Sequence, residues 1–357
     1  METPLAELAA DLVRLDSRSP LSNLPIAERI EAELTGFDIE RLDYRDASGV
    51  AKRALVARKG GTGGVALSGH MDTVPDTGWQ EDPWSGRIAA GVLHGLGSVD
   101  MKGPLAACIV AARQAARATL LITTDEETTK LGAKAIAERS ILARGLDAII
   151  VAEPTGLAPV RGHRSSVNIT ANASGVQAHS STGKGVNANW ALIPFLAEMR
   201  ALHEWLRRDP AMRDDTYDPP FCDFNLVLDN HGTAMNVTPA RATARIKFRR
   251  PARVEAAPVL DRLREAAARA GVALELREEG PPPELPADHP LIRRAVAATG
   301  LAPRTAPYGT DASELQLLAP CVILGPGTIE TAHTPEEHVA IADLQAAVPV
   351  FLKLLGG

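Results

Sequence analysis

The stretch that decides the fold is LDAIIVAEPT, residues 146–155. Ala148 to Ala152 run without a polar interruption, as strands do when a parallel sheet is covered on both faces. Two further stretches, GVALSGH (64–70) and ATLLITTDEE (118–127), also read as strands. Between them lies KGPLAACIVAARQAAR (102–117), an alanine-rich helix with Pro104 near its first turn, where proline is tolerated. Short apolar strands alternating with helices predict an α/β unit: a mostly parallel sheet with helices on both faces.

From residue 164 the texture changes. RSSVNITANASG alternates like a strand with one exposed face, and residues 187–209 are helical around an internal Pro194. Strands at 222–228 and 241–250, a helix at 254–271 and a strand at 272–278 complete the order β-α-β-β-α-β. That order predicts an inserted ferredoxin-like α+β domain. The proline-rich segment 279–290 leads out of it. A helix near Leu291–Thr299, an apolar strand at 321–327 and a helix at 341–355 then rejoin the first sheet. The expected division is 1–163 with 280–357 as the catalytic domain and 164–279 as the insertion. A chain of 357 residues, 45% of them hydrophobic, accommodates both.

The formal charge is −6, and lysines and arginines cluster only as short pairs, so nucleic acid is not an expected partner. A small-molecule substrate is. Leu5, Leu8, Leu12 and Leu15 mark an amphipathic first helix interrupted by Glu7 and Asp11, which reads as neither signal peptide nor membrane span. A cytoplasmic protein is expected. The three cysteines are dispersed and offer neither a disulfide framework nor a thiolate zinc site.

In open α/β sheets ligands bind beyond the carboxyl ends of the strands. Here His70, Asp125-Glu126-Glu127 and Glu153 end strands, Asp100 follows HGLGSV, and His333 follows LGPGTIETA. Nitrogen and oxygen donors without cysteine suit zinc, cobalt or manganese. Each has an ordinary reading alone: a hydrogen-bonded histidine, a solvated acidic turn, a helix cap at Asp100. Their convergence on one sheet edge favours a joint site.

The motifs H-x-D-T-V-P, G-x-x-D-M-K-G, D-E-E, A-E-P-T and G-P-G-x-x-x-x-A-H occur in that order across nearly the whole chain. As a set they resemble the dinuclear zinc aminoacylase and carboxypeptidase family. It includes acetylornithine deacetylase, succinyl-diaminopimelate desuccinylase and glutamate carboxypeptidase. The resemblance implies two zinc ions, with cobalt possible: one on His70, Asp100 and Glu153, the other on Asp100, Glu127 and His333. Asp100 would bridge them, and the Asp100–Met101 peptide would be cis. Glu126 would be the general base that deprotonates a metal-bridging water and passes the proton to the leaving amine. Residues two apart on an extended chain face the same side, so Asp72 would hold the second ring nitrogen of His70.

The resemblance extends into the insertion. GVQAHSS (175–181) matches a segment whose histidine, here His179, reaches a neighbouring subunit's site and helps hold the oxyanion. MNVTP (235–239) makes Asn236 a substrate contact, and FRRP (248–251) makes Arg250 the receiver of the substrate carboxylate, with Phe248 at a position the family often gives to an acid. A homodimer with a closing motion between domains is implied. YGTDASEL (308–315) is similar to the G-T-E-A-S stretch of acetylornithine and acetylcitrulline deacetylases. The expected activity is therefore removal of acetyl from N-acetyl-ornithine or N-acetyl-citrulline, as in arginine biosynthesis. The alternatives are a desuccinylase, a carboxypeptidase acting on a dipeptide or N-acyl amino acid, and a non-catalytic binding protein on the same fold.

Overall fold

The computed structural model describes residues 3–356. It contains two compact units: residues up to 162 with 283–305 and 310 onward, and residues 163–282 with 306–309.

The first unit is built on an eight-stranded sheet in the order Asp38–Arg45, Ala51–Lys59, Ala118–Thr123, Val65–His70, Ala148–Pro154, Cys321–Gly325, Val160–His163, Arg304–Ala306. The third to sixth strands run parallel, and the pairings observed outside them are antiparallel. Every residue of those four strands is buried. Helices Lys102–Gln114 and Leu131–Arg139 both touch Ala118–Thr123, yet only the first contributes to the main apolar cluster. They cover opposite faces, which is why these strands carry no alternation. The C-terminal helix Ile341–Leu355 packs on Lys102–Gln114 and on Val65–His70. Gly103 allows a close approach: a Cβ there would stand 2.2 Å from the Ser98 carbonyl oxygen. This accounts for the glycine that closes DMKG.

The second unit carries β-α-β-β-α-β. Its strands order as Asp223–Asp229, Arg241–Arg250, Ser165–Ser174, Ala273–Glu278, all antiparallel. Helices Asn189–Arg208 and Ala257–Ala270 close one face over a core of Ile169, Phe195, Met199, Phe248 and Leu263. This is the ferredoxin-like arrangement.

Helix Leu24–Glu31, the hairpin Asp38–Arg45/Ala51–Lys59 and helix Leu131–Arg139 go beyond the sequence reading. The edge strand Asp38–Arg45 is mostly charged and exposed, so it shows no apolar signature. The strand expected over 118–127 stops at Thr123, and the acidic triplet lies in a turn. Cys108, Cys222 and Cys321 are buried and unbridged. Among the described residues no helix is long and apolar enough to cross a membrane.

Candidate metal centre

The sheet delivers the acidic and imidazole groups to one edge. His70 is the last residue of Val65–His70, and Glu153 stands one residue before the end of Ala148–Pro154. Asp100 precedes helix Lys102–Gln114, whose cap position is Met101, so Asp100 is not spent as a cap. The Asp100–Met101 peptide is cis. Asp125 and His333 both stand at φ 61°, in the left-handed region. Each turns the chain sharply where a polar side chain must face the edge.

Asp100 faces two imidazoles. His70 Nε2 lies 3.1 Å from Asp100 Oδ1, and His333 Nε2 lies 3.2 Å from Asp100 Oδ2 and 3.0 Å from Glu127 Oε1. The ligand atoms of His70, Asp100 and Glu127 fall within 4.8 Å of one another. On the other side of the ring, His70 Nδ1 is 2.9 Å from the Asp72 main-chain carbonyl and 3.6 Å from the Asp72 carboxylate. The carbonyl, rather than the expected carboxylate, is thus the close partner. A carbonyl only accepts, so Nδ1 carries a proton. Nε2 faces Asp100 Oδ1, and although burial opposes charging the ring, hydrogen bonds to Asp100 and Asp72 raise it well above its ordinary value. The Asp72 carboxylate is occupied elsewhere: it accepts from Ser19 Oγ at 2.7 Å and from the amides of Glu126 at 3.1 Å and Glu127 at 3.3 Å.

The electrostatics are those of concentrated negative charge. Burial, with Asp100 next, pushes the Glu127 carboxyl up to about 8 and Glu153 well above the usual range. Burial also raises Glu126. Burial opposes ionisation of Asp100 too, but hydrogen bonds from His333 and His70 hold it well below the usual range. Hydrogen bonding to Asp100 and Glu127 lifts His333 to about 11. An imidazole nitrogen and a carboxylate oxygen 3.1 Å apart need a proton or a cation between them. Buried carboxylates that resist ionisation together ask for positive charge. The nitrogen and oxygen donor set therefore fits divalent zinc, cobalt or manganese.

In the inserted unit His179 and Asn236 come together: Ser180 N–H donates to the Asn236 carbonyl at 3.0 Å, and His179 bridges to Val237. Both side chains are exposed. His179 Nδ1 accepts from Ser181 N–H at 3.3 Å and lies 2.8 Å from Ser181 Oγ, which leaves the neutral ring's proton on Nε2. Arg250 ends its strand and donates to the Val254 carbonyl at 2.7 Å. Phe248 is buried in the core beside Phe224.

Residues 66–356 match the peptidase family M20/M25/M40. The chain belongs to that family. Curated relatives include acetylornithine deacetylases from Myxococcus xanthus, 33% identical over 94% of this chain and 92% of theirs, and from Proteus mirabilis, 33% identical over 88% and 84%. Among solved structures, an M20 family metallo-carboxypeptidase from Sulfolobus solfataricus superposes with a TM-score of 0.76 at 15% identity, covering 99% of each chain. A dinuclear metal-binding M20 peptidase from Bacillus subtilis gives 0.63 at 18% identity, covering 98% and 96%. The protein is an M20-type metal-dependent amidohydrolase or peptidase.

Around this M20 edge stand residues that the sequence reading missed. Glu337 Oε1 accepts the amides of Val99 and Asp100, each at 3.0 Å. Asp311 is buried, accepts from Thr123 Oγ1 at 2.5 Å, and is raised to about 8 by burial and then Glu126. Lys130 lies 3.8 Å from Glu126 and donates to the Thr310 carbonyl at 3.0 Å. Glu337, four residues after His333, and Asp311, inside YGTDASEL, had a sequence signal. Lys130 meets the edge through tertiary packing.

Proposed function

We propose that this protein is a deacylase of small N-acyl amino acids, with N-acetyl-ornithine or N-acetyl-citrulline as preferred substrate, acting in the cytoplasm as a homodimer in arginine biosynthesis. The observation that carries the hydrolase reading is the two-sided Asp100 carboxylate, with one oxygen toward His70 and the other toward His333. That is the disposition of a carboxylate shared by two cations. The acetyl-amino-acid assignment is supported by the curated relatives, named acetylornithine deacetylases at 31–33% identity, and by YGTDASEL.

In this reading His70, Asp100 and Glu153 hold one ion and Asp100, Glu127 and His333 the other, with zinc expected and cobalt suited to the same donors. Bound ions supply Lewis acidity toward the amide carbonyl and toward water. Glu126 takes the proton of the attacking water and delivers it to the departing amine. Its amide, pinned on Asp72, sets where that carboxyl stands. His179, with its proton on Nε2, donates to the developing oxyanion in the partner subunit's site. Asn236 holds the substrate, and the Arg250 guanidinium receives its carboxylate. A second copy is supported by exposed Trp190 and Ile193 on one helix and Leu226 and Leu228 on the edge strand Asp223–Asp229.

The test is amine release by chelated enzyme, with and without added zinc or cobalt, from N-acetyl, N-succinyl and dipeptide substrates. Metal-dependent release from N-acetyl-ornithine or N-acetyl-citrulline is expected. Release confined to succinyl or dipeptide substrates would replace the deacetylase by a desuccinylase or peptidase. Silence on all of them with metal bound would favour a binding protein.

A further inference from the structure

Lys52 is fully buried beneath the acidic turn, yet it is neither a metal donor nor a substrate group. An ammonium has three protons, and three acceptors surround this one: Asp125 Oδ1 at 2.9 Å, the Leu21 carbonyl at 2.7 Å and the Ser19 carbonyl. Tyr44 is directly opposite Lys52 in the antiparallel pair, and its hydroxyl donates to Asp125 Oδ2 at 2.7 Å. Side chains so opposed leave the same face. The antiparallel register that pairs Leu55 with Ile122, continued past the strand end, brings Lys52 opposite Asp125.

Both oxygens of Asp125 are thus held from one side. Its backbone stands at φ 61°, where an L residue rests only when its surroundings keep it there. That conformation sends the next two amides back to Asp72, which accepts Glu126 N–H and Glu127 N–H. Asp72 is in turn held by Ser19 Oγ, and the Ser19 carbonyl belongs to Lys52. The connections close on themselves through Lys52. A buried ion pair adds little net stability over apolar packing.

We propose that Lys52 is the positioning residue of the acidic turn, fixing Asp125 directly and the amides of Glu126 and Glu127 through Ser19 and Asp72. The proposal rests on the reading of Glu126 as base and Glu127 as metal donor. It extends that reading to a residue far from both in sequence.

The test compares wild type with Lys52→Met and with Lys52→Met/Asp125→Asn. The double variant removes both charges and so avoids the unpaired buried carboxylate that can unfold the single one. Three readouts are taken: hydrogen exchange of the turn amides in metal-free protein, the affinity and visible spectrum of added Co²⁺, and kcat against KM. The double variant is expected to melt near wild type while exchange accelerates in the turn alone. Its Co²⁺ affinity and kcat should each fall about 10–100-fold with KM within about twofold. Tyr44→Phe, which keeps the ammonium, should lose less. A folded double variant with wild-type turn exchange, Co²⁺ affinity and kcat would overturn the proposal, as would exchange loosened equally across the sheet. If wild type hydrolyses no substrate, the deacylase reading fails, whereas the exchange and cobalt readouts still decide the role of Lys52.

Discussion

His70 and His333 address opposite oxygens of the same carboxylate, Asp100 Oδ1 at 3.1 Å and Oδ2 at 3.2 Å. A carboxamide at that position offers one oxygen and one NH2 group, which only donates, so it cannot accept on both sides. Asp100→Asn is expected to lose at least one bound metal ion per chain by elemental analysis, and turnover with it. Unchanged metal content would remove Asp100 from the bridging role.

Glu126 lies next to Glu127, and its N–H is held by the Asp72 carboxylate at 3.1 Å. Glu126→Gln should lower kcat by about 10²–10⁴-fold while metal content stays at the wild-type level. If metal is lost along with activity, Glu126 is a donor rather than the base.

Glu337 joins the loop bearing His333 to the loop bearing Asp100 through two amide hydrogen bonds to a single oxygen. Glu337→Ala is expected to weaken metal binding about 10–100-fold by calorimetric titration, and Glu337→Gln, which retains an acceptor, by less. Equal effects of the two variants would indicate that the charge matters rather than the tether.

His179 is exposed on the inserted unit. His179→Ala should cut turnover by orders of magnitude, and mixing it with Glu126→Gln should restore part of the activity through hybrid dimers. Confirmed subunit exchange without any recovery would argue against a shared site.

Away from the metal centre, Glu40 accepts from Ser140 Oγ at 2.6 Å, from Ile141 N–H at 3.0 Å and from Leu142 N–H at 3.1 Å. Burial works against its ionisation, but these hydrogen bonds prevail and hold it below its ordinary 4.5. A depressed folded-state value means stability that is present above pH 4.5 and lost as pH falls through the lower value. Glu40→Gln should therefore be less stable than wild type in denaturant titrations near neutrality, by under about 1 kcal/mol because much of the group is solvated. The gap should close in acid; a gap that persists there would contradict the assignment.

The sequence by itself determined the parallel centre of the sheet, because strands buried on both faces must be apolar throughout, as Ala148–Ala152 is. It determined the inserted β-α-β-β-α-β unit, whose alternation and helical periodicity are local properties. It also supplied the candidate donors, His70 and Glu153 at strand ends and the others through the motifs that carry the family resemblance. The charged edge strand Asp38–Arg45 and the short helix Leu131–Arg139 were not legible, because neither is long or apolar enough to show a period.

Only the tertiary structure decided what holds those donors in place. The close partner of His70 Nδ1 is a main-chain carbonyl, which carries no residue signature. Asp72 serves the amides of a turn 54 residues away, and Glu337 those of a loop about 237 residues away. Lys52 carries no mark in the sequence, and only the strand register brings it to Asp125. Spacing along a chain encodes which faces residues share within one element. Hydrogen bonds between elements depend on how the sheet assembles, and that becomes visible only in three dimensions.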